Sequence, residues 1–350
     1  MAAPVSTTLP RPEALRRDWS ATGVTIDEVA RRLADQRRPE PGRAPAMLAG
    51  VLNLVAHASA PGELTAMRAV IEQLADHQPS RAILVCDGGE GEGIDATLTT
   101  TFRDSGGHTC VAIELVVLVL RGEAHAGAAS ATAPLLRSDL PTFLWWPGPP
   151  EPGPGSPLER LARIADRVVT EAGRADDGAD AARALAAWAP TVSAGVTDVA
   201  WASITGWRRL LAQKIDAAAL EALRGGGATA TISHTGSAPA LDALLLAGWL
   251  ANLIGPALMI EFNPRPGSEE GLLGFALEGP APVRRVAVER IAGRDAADVR
   301  TVSPGAPDHR RVLPLPRPDR PHLLAGELEL QRHDGPFERA LNAAARVAGR

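Results

Sequence analysis

The chain has 350 residues, a length that predicts two domains, and its 45% hydrophobic and 22% charged residues are typical of a folded protein. Its formal net charge of −5 argues against nucleic-acid binding, which depends on clustered positive charge. The N-terminus lacks the apolar stretch of a secretory signal, and no apolar run approaches the ~20 residues that cross a bilayer. We therefore expect a cytoplasmic protein with neither a nucleic-acid nor a membrane partner.

The first 45 residues are polar and rich in proline, which predicts an extended or partly disordered N-terminal arm with one short helix from Ile26 to Leu33. Regular structure is predicted from Ala46 onward. Residues 47–58 read as a strand, residues 61–77 have helical spacing of apolar side chains, and residues 81–86 read as a buried strand. A strand–helix–strand unit of this kind favours parallel pairing.

An acidic glycine loop at residues 88–93 follows, and residues 94–102 then alternate as an amphipathic strand does. Gly106 and Gly107 stand before the apolar run of residues 110–120, so an antiparallel hairpin is predicted. A helix is predicted at residues 124–136. A short strand and a Pro/Gly-rich linker come next, and they place the domain boundary near residue 150.

The second half alternates helices and strands as far as residue 255, with the strongest helix over residues 238–255, closed by Gly255 and Pro256. From Ala257 onward four apolar segments separated by turns predict an antiparallel meander, followed by a C-terminal helix. The whole pattern predicts an α/β to α+β fold. It consists of two mixed α/β domains at residues 46–150 and 151–350, each with a mixed or antiparallel sheet and packed helices.

No catalytic, cofactor or metal site is predicted. The glycine cluster at residues 88–93 is acidic and would repel a phosphate. The cluster at residues 225–227 leads into a strand and not into a helix N-terminus, so neither cluster fits a phosphate loop. The eight histidines are scattered without metal-ligand spacing, and no nucleophile elbow is present. Cys86 and Cys110 lie in apolar runs, which favours buried thiols over a redox sensor.

The segment Ser138–Gly148, SDLPTFLWWPG, is the most distinctive in the chain. Adjacent tryptophans on an extended segment point to opposite sides, so Trp145 and Trp146 are either buried between domains or one of them is a docking anchor.

This segment closely resembles the SDLPxFLWWxG signature of the glucose-6-phosphate dehydrogenase assembly protein family (OpcA). Four further segments resemble motifs of that family in the same order. They are HQPSRAI at residues 77–83, ADRVV at 165–169, DVAWASITGWR at 198–208 and LLAGWL at 245–250. Three of them depart from the family pattern: Gln78 is an extra residue in the first, Thr170-Glu171 replaces the acid and serine that follow the second, and Gly206 replaces a proline in the third.

The resemblance implies a non-catalytic partner that binds glucose-6-phosphate dehydrogenase, promotes its active oligomer and tunes its activity in the oxidative pentose phosphate pathway. No cofactor is implied. The candidate interface residues lie in the matching motifs, and they are Ser80, Arg81, Asp139, Trp145, Trp146, Trp201, Trp207 and Arg208. The alternative is a sugar-phosphate enzyme of the lactonase-like hydrolase type, in which Ser80, Arg81 and a histidine such as His77 would serve.

Overall fold

The computed structural model describes residues 15–38, 46–48, 50–104, 110–174, 177–266, 271–305 and 307–349. These residues divide into two units. The first contains the described residues up to Arg68 and those from Gln78 to Leu140, and the second contains Ala69–His77 and the described residues from Pro141 onward.

The first unit is built on a mixed sheet. Its strands are β1 (Leu15–Ala21), β2 (Ala46–Leu48), β3 (Leu52–Ala58), β4 (Ser80–Asp87), β5 (Gly93–Asp104) and β6 (Cys110–Arg121). Its helices are α1 (Ile26–Gln36) and α3 (Ala128–Thr132), together with the first half of α2 (Leu64–Leu74). In place of the single helix predicted at residues 124–136, α3 is one short stretch between two 3-10 turns.

Strands of the first unit lie in the order β1-β5-β6-β4-β3, and β2 also pairs with β6. The parallel pairing of β3 with β4 confirms the predicted strand–helix–strand unit. The antiparallel pairing of β5 with β6 confirms the predicted hairpin, although Gly106 and Gly107 lie outside the described residues.

Two elements form within the predicted N-terminal arm. β1 pairs antiparallel with β5, and the helix predicted from Ile26 is present as α1. The Thr25 hydroxyl accepts from the Glu28 N–H at the start of α1, and Val29 and Leu33 are buried on its inner face. Because these contacts are internal to the first unit, the described part of the arm is an edge of its sheet.

The second unit begins with three strands, β7 (Thr142–Trp146), β8 (Arg167–Thr170) and β9 (Gly195–Asp198), which pair in parallel. They alternate with α4 (Pro157–Ala162) and α5 (Gly178–Trp188). Because β7 pairs with β8, the division between units falls at Leu140, before the segment that predicted a boundary near residue 150.

After β9 come α6 (Val199–Ser203), α7 (Thr205–Ala212), α8 (Ala217–Arg224), β10 (Thr229–His234) and α9 (Leu241–Ile254). Lys214 closes α7, and its N–H donates to the Leu211 carbonyl at 2.8 Å. Gly255 ends α9 with φ of +118°, the left-handed region that glycine alone adopts without strain.

The remaining elements are β11 (Met259–Pro264), β12 (Leu272–Glu278), β13 (Arg285–Arg290), β14 (Ala296–Val302), β15 (His309–Pro314), α10 (Arg320–Glu327) and α11 (Gly335–Val347). A second sheet has the order β11-β10-β12-β13-β14-β15. The prediction of an antiparallel meander is confirmed for β12 to β14, and β15 extends it as a strand that was not predicted. The prediction is wrong for β11, which pairs in parallel with β10 because α9 carries the chain back between them.

Helices α9 and α11 pack closely in the core of the second unit. A Cβ atom on Gly248 would lie only 2.6 Å from the Ala344 backbone nitrogen, so the two backbones approach at a position that only glycine allows. Mixed sheets with packed helices confirm the predicted fold class. No helix among the described residues is long and apolar enough to cross a membrane.

Candidate functional site

The carboxyl ends of β7, β8 and β9 lie side by side in the second unit. Trp146 is the register partner of Thr170, and Thr170 is the register partner of Asp198. In open α/β sheets this edge is where ligands bind, so the side chains here decide whether the unit holds a reactive site.

A tryptophan, a carboxylate and an arginine form the first cluster at this edge. The Trp145 indole N–H donates to Glu171 Oε1 at 2.8 Å. Arg320 Nε, at the start of α10, donates to the same oxygen at 2.8 Å and to Oε2 at 3.1 Å. The Arg320 guanidinium also lies over the indole, 4.8 Å from the ring centroid. We call Trp145, Glu171 and Arg320 the indole–carboxylate cluster.

Asp198 is the second polar group of the edge, and it is completely buried. Its Oδ2 accepts from the Thr170 hydroxyl at 2.8 Å and the Ala172 N–H at 2.6 Å, and its Oδ1 accepts from the Ala200 N–H at 2.9 Å. Burial raises the pKa of Asp198 to about 7, and the three hydrogen bonds oppose that rise. Asp198 therefore caps α6 and ties it to the end of β8.

Below this edge, Glu327 at the end of α10 forms a third buried group. Glu327 Oε2 accepts from the Thr197 hydroxyl at 2.6 Å and from Arg167 Nη2 at 3.3 Å. Arg167 also donates to the Arg332 carbonyl. Burial raises the pKa of Glu327, while Thr197 and Arg167 lower it. These bonds fasten α10 to β8 and β9.

Trp201 on α6 has a similar set of partners. Its indole N–H donates to Asp334 Oδ2 at 3.0 Å, and Asp334 also caps α11. The Arg208 guanidinium lies 3.5 Å from the centroid of the Trp201 ring, and Phe337 packs edge-on against the same ring. A tryptophan held by a carboxylate and covered by an arginine thus occurs twice in this unit.

These groups bind one another. The carboxylates of Glu171, Asp198 and Glu327 all accept hydrogen bonds from donors of the chain itself. Among the described residues no group of three or more His, Cys, Asp or Glu side chains could hold a metal ion. What the arrangement can do chemically is hold helices α6 and α10 to the sheet, since its three carboxylates are engaged in internal hydrogen bonds.

The predicted interface residues differ widely in exposure. Trp145, Trp201 and Trp207 are buried, as are Ser80 and Arg81 in the first unit. Trp146 and Arg208 are half-buried, and Asp139 is exposed. Only these last three therefore offer side-chain surface in this conformation. Trp207 instead packs edge-on against Phe275, and the Arg290 guanidinium lies over the Trp207 ring, 5.2 Å from its centroid.

Arg81 belongs to a buried ion cluster. Its Nε donates to Glu114 Oε2 at 2.8 Å and its Nη1 donates to the Leu135 carbonyl at 2.9 Å, while Arg37 contacts the same glutamate. Because its guanidinium is engaged in this way, Arg81 does not present a free cation to a substrate. His77, the histidine considered beside it, packs against His322 with ring centroids 4.4 Å apart and the ring planes tilted by 50°.

The thiol of Cys86 is fully buried, and burial raises its pKa to about 11. A thiol with that pKa carries little of the thiolate that redox chemistry requires. The side chain of Cys110 lies outside the described part of the chain.

Sequence reasoning missed Glu171, Arg320 and Glu327. Glu171 was visible only as a departure from a motif. Arg320 stands 149 residues from Glu171, and Glu327 stands 160 residues from Arg167, so no local pattern connects them. Gly206, the other departure, makes room for a neighbour, since a Cβ there would meet Leu315 Cδ1 at 2.7 Å.

Comparison with known proteins accounts for this arrangement of motifs. Residues 71–187 match the family model described as the glucose-6-phosphate dehydrogenase subunit N-terminal domain, and residues 194–341 match the model of its C-terminal domain. The chain belongs to the OpcA family. The two OpcA matches follow one another in chain order and together cover more than half of the sequence, as the five motifs predicted.

Individual relatives are more distant. The OxPP cycle protein OpcA of Nostoc punctiforme is 28% identical over 188 residues, which are 52% of this chain and 39% of that protein. The chain thus matches well under half of the length of this OpcA relative. A crystal structure of an oxidoreductase from Sinorhizobium meliloti aligns over 85% of this chain and 89% of that one at 10% identity, with a TM-score of 0.30, too low to indicate a shared fold.

Proposed function

We propose that this chain is a non-catalytic partner of glucose-6-phosphate dehydrogenase, which binds the enzyme, promotes its active oligomer and tunes its activity in the oxidative pentose phosphate pathway. The observation that carries the proposal is the consecutive match to two family models, each described as a domain of a subunit of that enzyme. A cytoplasmic location, where that pathway operates, is part of the proposal.

The polar edge of the second unit supports a role without chemistry. A general acid, base or nucleophile has to reach a substrate, whereas Glu171, Asp198 and Glu327 are buried and accept hydrogen bonds from their own chain. Such a network fixes the shape of a surface, which is what a binding partner requires.

An effector of this kind acts through differential binding. A protein that binds the active state of an enzyme more tightly than the inactive state shifts the equilibrium by that difference in affinity. A tenfold shift in population needs about 1.4 kcal/mol. One or two anchor side chains supply this much, and the motif residues with accessible surface, Trp146, Arg208 and Asp139, are the candidates for that role.

The test is to purify this chain and the dehydrogenase of the same organism and to measure them separately and mixed. Analytical ultracentrifugation is expected to show a complex and a larger share of the higher enzyme oligomer. Steady-state kinetics are expected to show a changed KM or kcat for glucose 6-phosphate. This chain alone should turn over neither glucose 6-phosphate nor 6-phosphogluconolactone. If neither mass distribution nor kinetics changes on mixing, the proposal is wrong.

A further inference from the structure

β15 is an open edge of the second sheet. It is last in the strand order, and among the described residues β14 is the strand with which it pairs. His309, Arg310, Arg311 and Val312 are all exposed, and Val312 has 61% of its surface accessible. An edge of this kind offers backbone donors and acceptors to another chain.

The hydrogen-bond pattern shows which backbone groups are offered. Leu315 N–H donates to the Asp295 carbonyl at 3.0 Å, in register with the β14–β15 ladder. Odd-numbered residues of β15 therefore bond to β14, because bonded residues alternate along an antiparallel pair. The N–H and C=O groups of Arg310 and Val312 consequently point away from the sheet.

Prolines set the length of this edge. Pro307 precedes β15, and Pro314 ends it at an outward-facing position, where it has no N–H to donate. The open ladder is therefore confined to Arg310 and Val312, enough for a short extended segment.

The charge of the strand selects its occupant. Arg310 is paired with Asp298 at 2.6 Å, while Arg311 makes no ion pair with a described residue and points to the opposite face. The charge of Arg311 makes this edge locally basic on a chain whose net charge is −5. A second copy of β15 would bring the same arginines against each other, which disfavours self-pairing.

We propose that β15 binds an extended, acidic segment of a partner polypeptide as a seventh strand of this sheet. The backbone of Arg310 and Val312 supplies the hydrogen bonds, Val312 supplies apolar contact, and Arg311 selects the acidic sequence. The identity of the partner rests on the proposed function, in which it is the dehydrogenase.

The test uses a substitution that removes an outward N–H without touching the sheet. Val312→Pro does this, because proline is tolerated on an edge strand where the N–H faces solvent. Val312→Ala is the matched control, since it shortens the same side chain and keeps the N–H. Arg311→Glu tests the charge. Circular dichroism and thermal unfolding establish that each variant is folded.

Two binding assays use these variants on the full chain. One assay measures the affinity for the dehydrogenase. The other measures the affinity for a fluorescein-labelled heptapeptide of alternating glutamate and valine, and its control peptide has lysine in place of glutamate. Val312→Pro is expected to weaken binding at least tenfold in both assays, Val312→Ala less than threefold. Arg311→Glu should weaken binding several-fold at low salt and less at high salt. The lysine peptide should not bind.

Outcomes that differ from these expectations also decide between the proposals. If the dehydrogenase binds but Val312→Pro and Arg311→Glu bind it as the wild type does, the edge is not the docking strand and the proposed function stands. If the dehydrogenase does not bind at all, the proposed function fails and the peptide assay alone decides the inference. If Val312→Pro does not fold, Arg311→Glu decides it. If the wild type sediments as a dimer and Val312→Pro sediments as a monomer, the strand that binds at β15 is a second copy of this chain and not an acidic segment of a partner.

Discussion

At the scale of single residues, the second unit depends on buried carboxylates that each satisfy several donors. Glu171 serves both the Trp145 indole and Arg320, and its side chain is only 3% exposed. A buried acceptor shared in this way is costly to remove, since its donors lose their partner without gaining water.

Replacing Glu171 tests this role. Glu171→Ala is expected to lower the free energy of unfolding by about 2–4 kcal/mol, because it leaves a buried indole N–H and a largely buried cation without an acceptor. Glu171→Gln keeps one oxygen for the indole and should cost less. Urea unfolding measures both. Glu221→Ala is the control, since that glutamate is 77% exposed and its loss should change stability by less than about 0.5 kcal/mol. A Glu171→Ala protein as stable as this control would show that the cluster is unimportant.

The carboxyl of Asp198 gives a prediction about pH. Its pKa is about 7 in the folded chain, above the ordinary 3.8, so between about pH 4 and pH 7 the folded state holds a proton that the unfolded state has lost. The contribution of this group to stability is therefore present at low pH and is lost as pH rises through 7. Asp198→Asn cannot titrate. Relative to this variant, the wild type should become steadily less stable from pH 5 to pH 8.

Urea unfolding of both proteins across that pH range measures the difference between their free energies of unfolding. The titration of Glu327 and of the other carboxylates cancels in this difference, because both proteins contain those groups. A difference that stays constant, or that grows in the opposite direction, would mean that the hydrogen bonds from Thr170, Ala172 and Ala200 keep Asp198 ionised throughout.

At the scale of elements, α9 and α11 pack with their backbones in close approach at Gly248. Gly248→Ala should separate these helices, because the new Cβ would press on the backbone of Ala340 and Ala344 and neither can move as a side-chain end can. We expect a loss of about 2–3 kcal/mol in the free energy of unfolding.

Gly326→Ala is the matched control on α10, where a new Cβ would meet Ala202 Cβ at an ordinary 3.7 Å. Because alanine is the better helix former, this variant should be unchanged or more stable by up to about 1 kcal/mol. Thermal unfolding followed by circular dichroism compares the two. Equal effects at the two glycines would contradict the close approach of α9 and α11.

Most elements could be predicted from the sequence, and the exceptions have physical reasons. The apolar segment closed by Gly255 and Pro256 identified α9, and alternation followed by a long apolar run identified the β5–β6 hairpin. β1 was missed because Arg17 occupies an inward-facing position, where it packs over the Phe102 ring at 4.9 Å and hides the alternation. The direction of β11 was missed because a strand pattern carries no information about its neighbour.

At the scale of the whole molecule, the motifs identified the family, whereas the candidate site could be predicted only in part. Trp145 and Trp201 were both predicted as interface candidates, and the sequence could not show that both side chains are buried within the unit. Their partners Glu171, Arg320 and Asp334 come from segments far away along the chain, and only the folded structure unites them.

The two adjacent tryptophans should therefore behave differently in the complex. Trp145→Ala is expected to destabilise the chain by about 3–5 kcal/mol, as the loss of a buried aromatic does. Trp146→Ala should keep the fold and weaken binding to the dehydrogenase at least tenfold, as interface tryptophans do. Trp19→Ala, at a half-buried tryptophan outside the family matches, should leave binding unchanged. Circular dichroism beside a binding titration separates these outcomes, and unchanged binding by Trp146→Ala would remove it from the interface.

Lys214, at the end of α7, is the one lysine of the sequence. A lysine-specific endoprotease therefore finds a single cleavable bond, between Lys214 and Ile215. Both residues are half-buried and the Lys214 N–H is hydrogen-bonded, so cleavage has to wait until this turn opens. The rate of this single cleavage therefore reports how often the junction of α7 and α8 opens. It can be measured on a gel from the two fragments, with the partner present or absent.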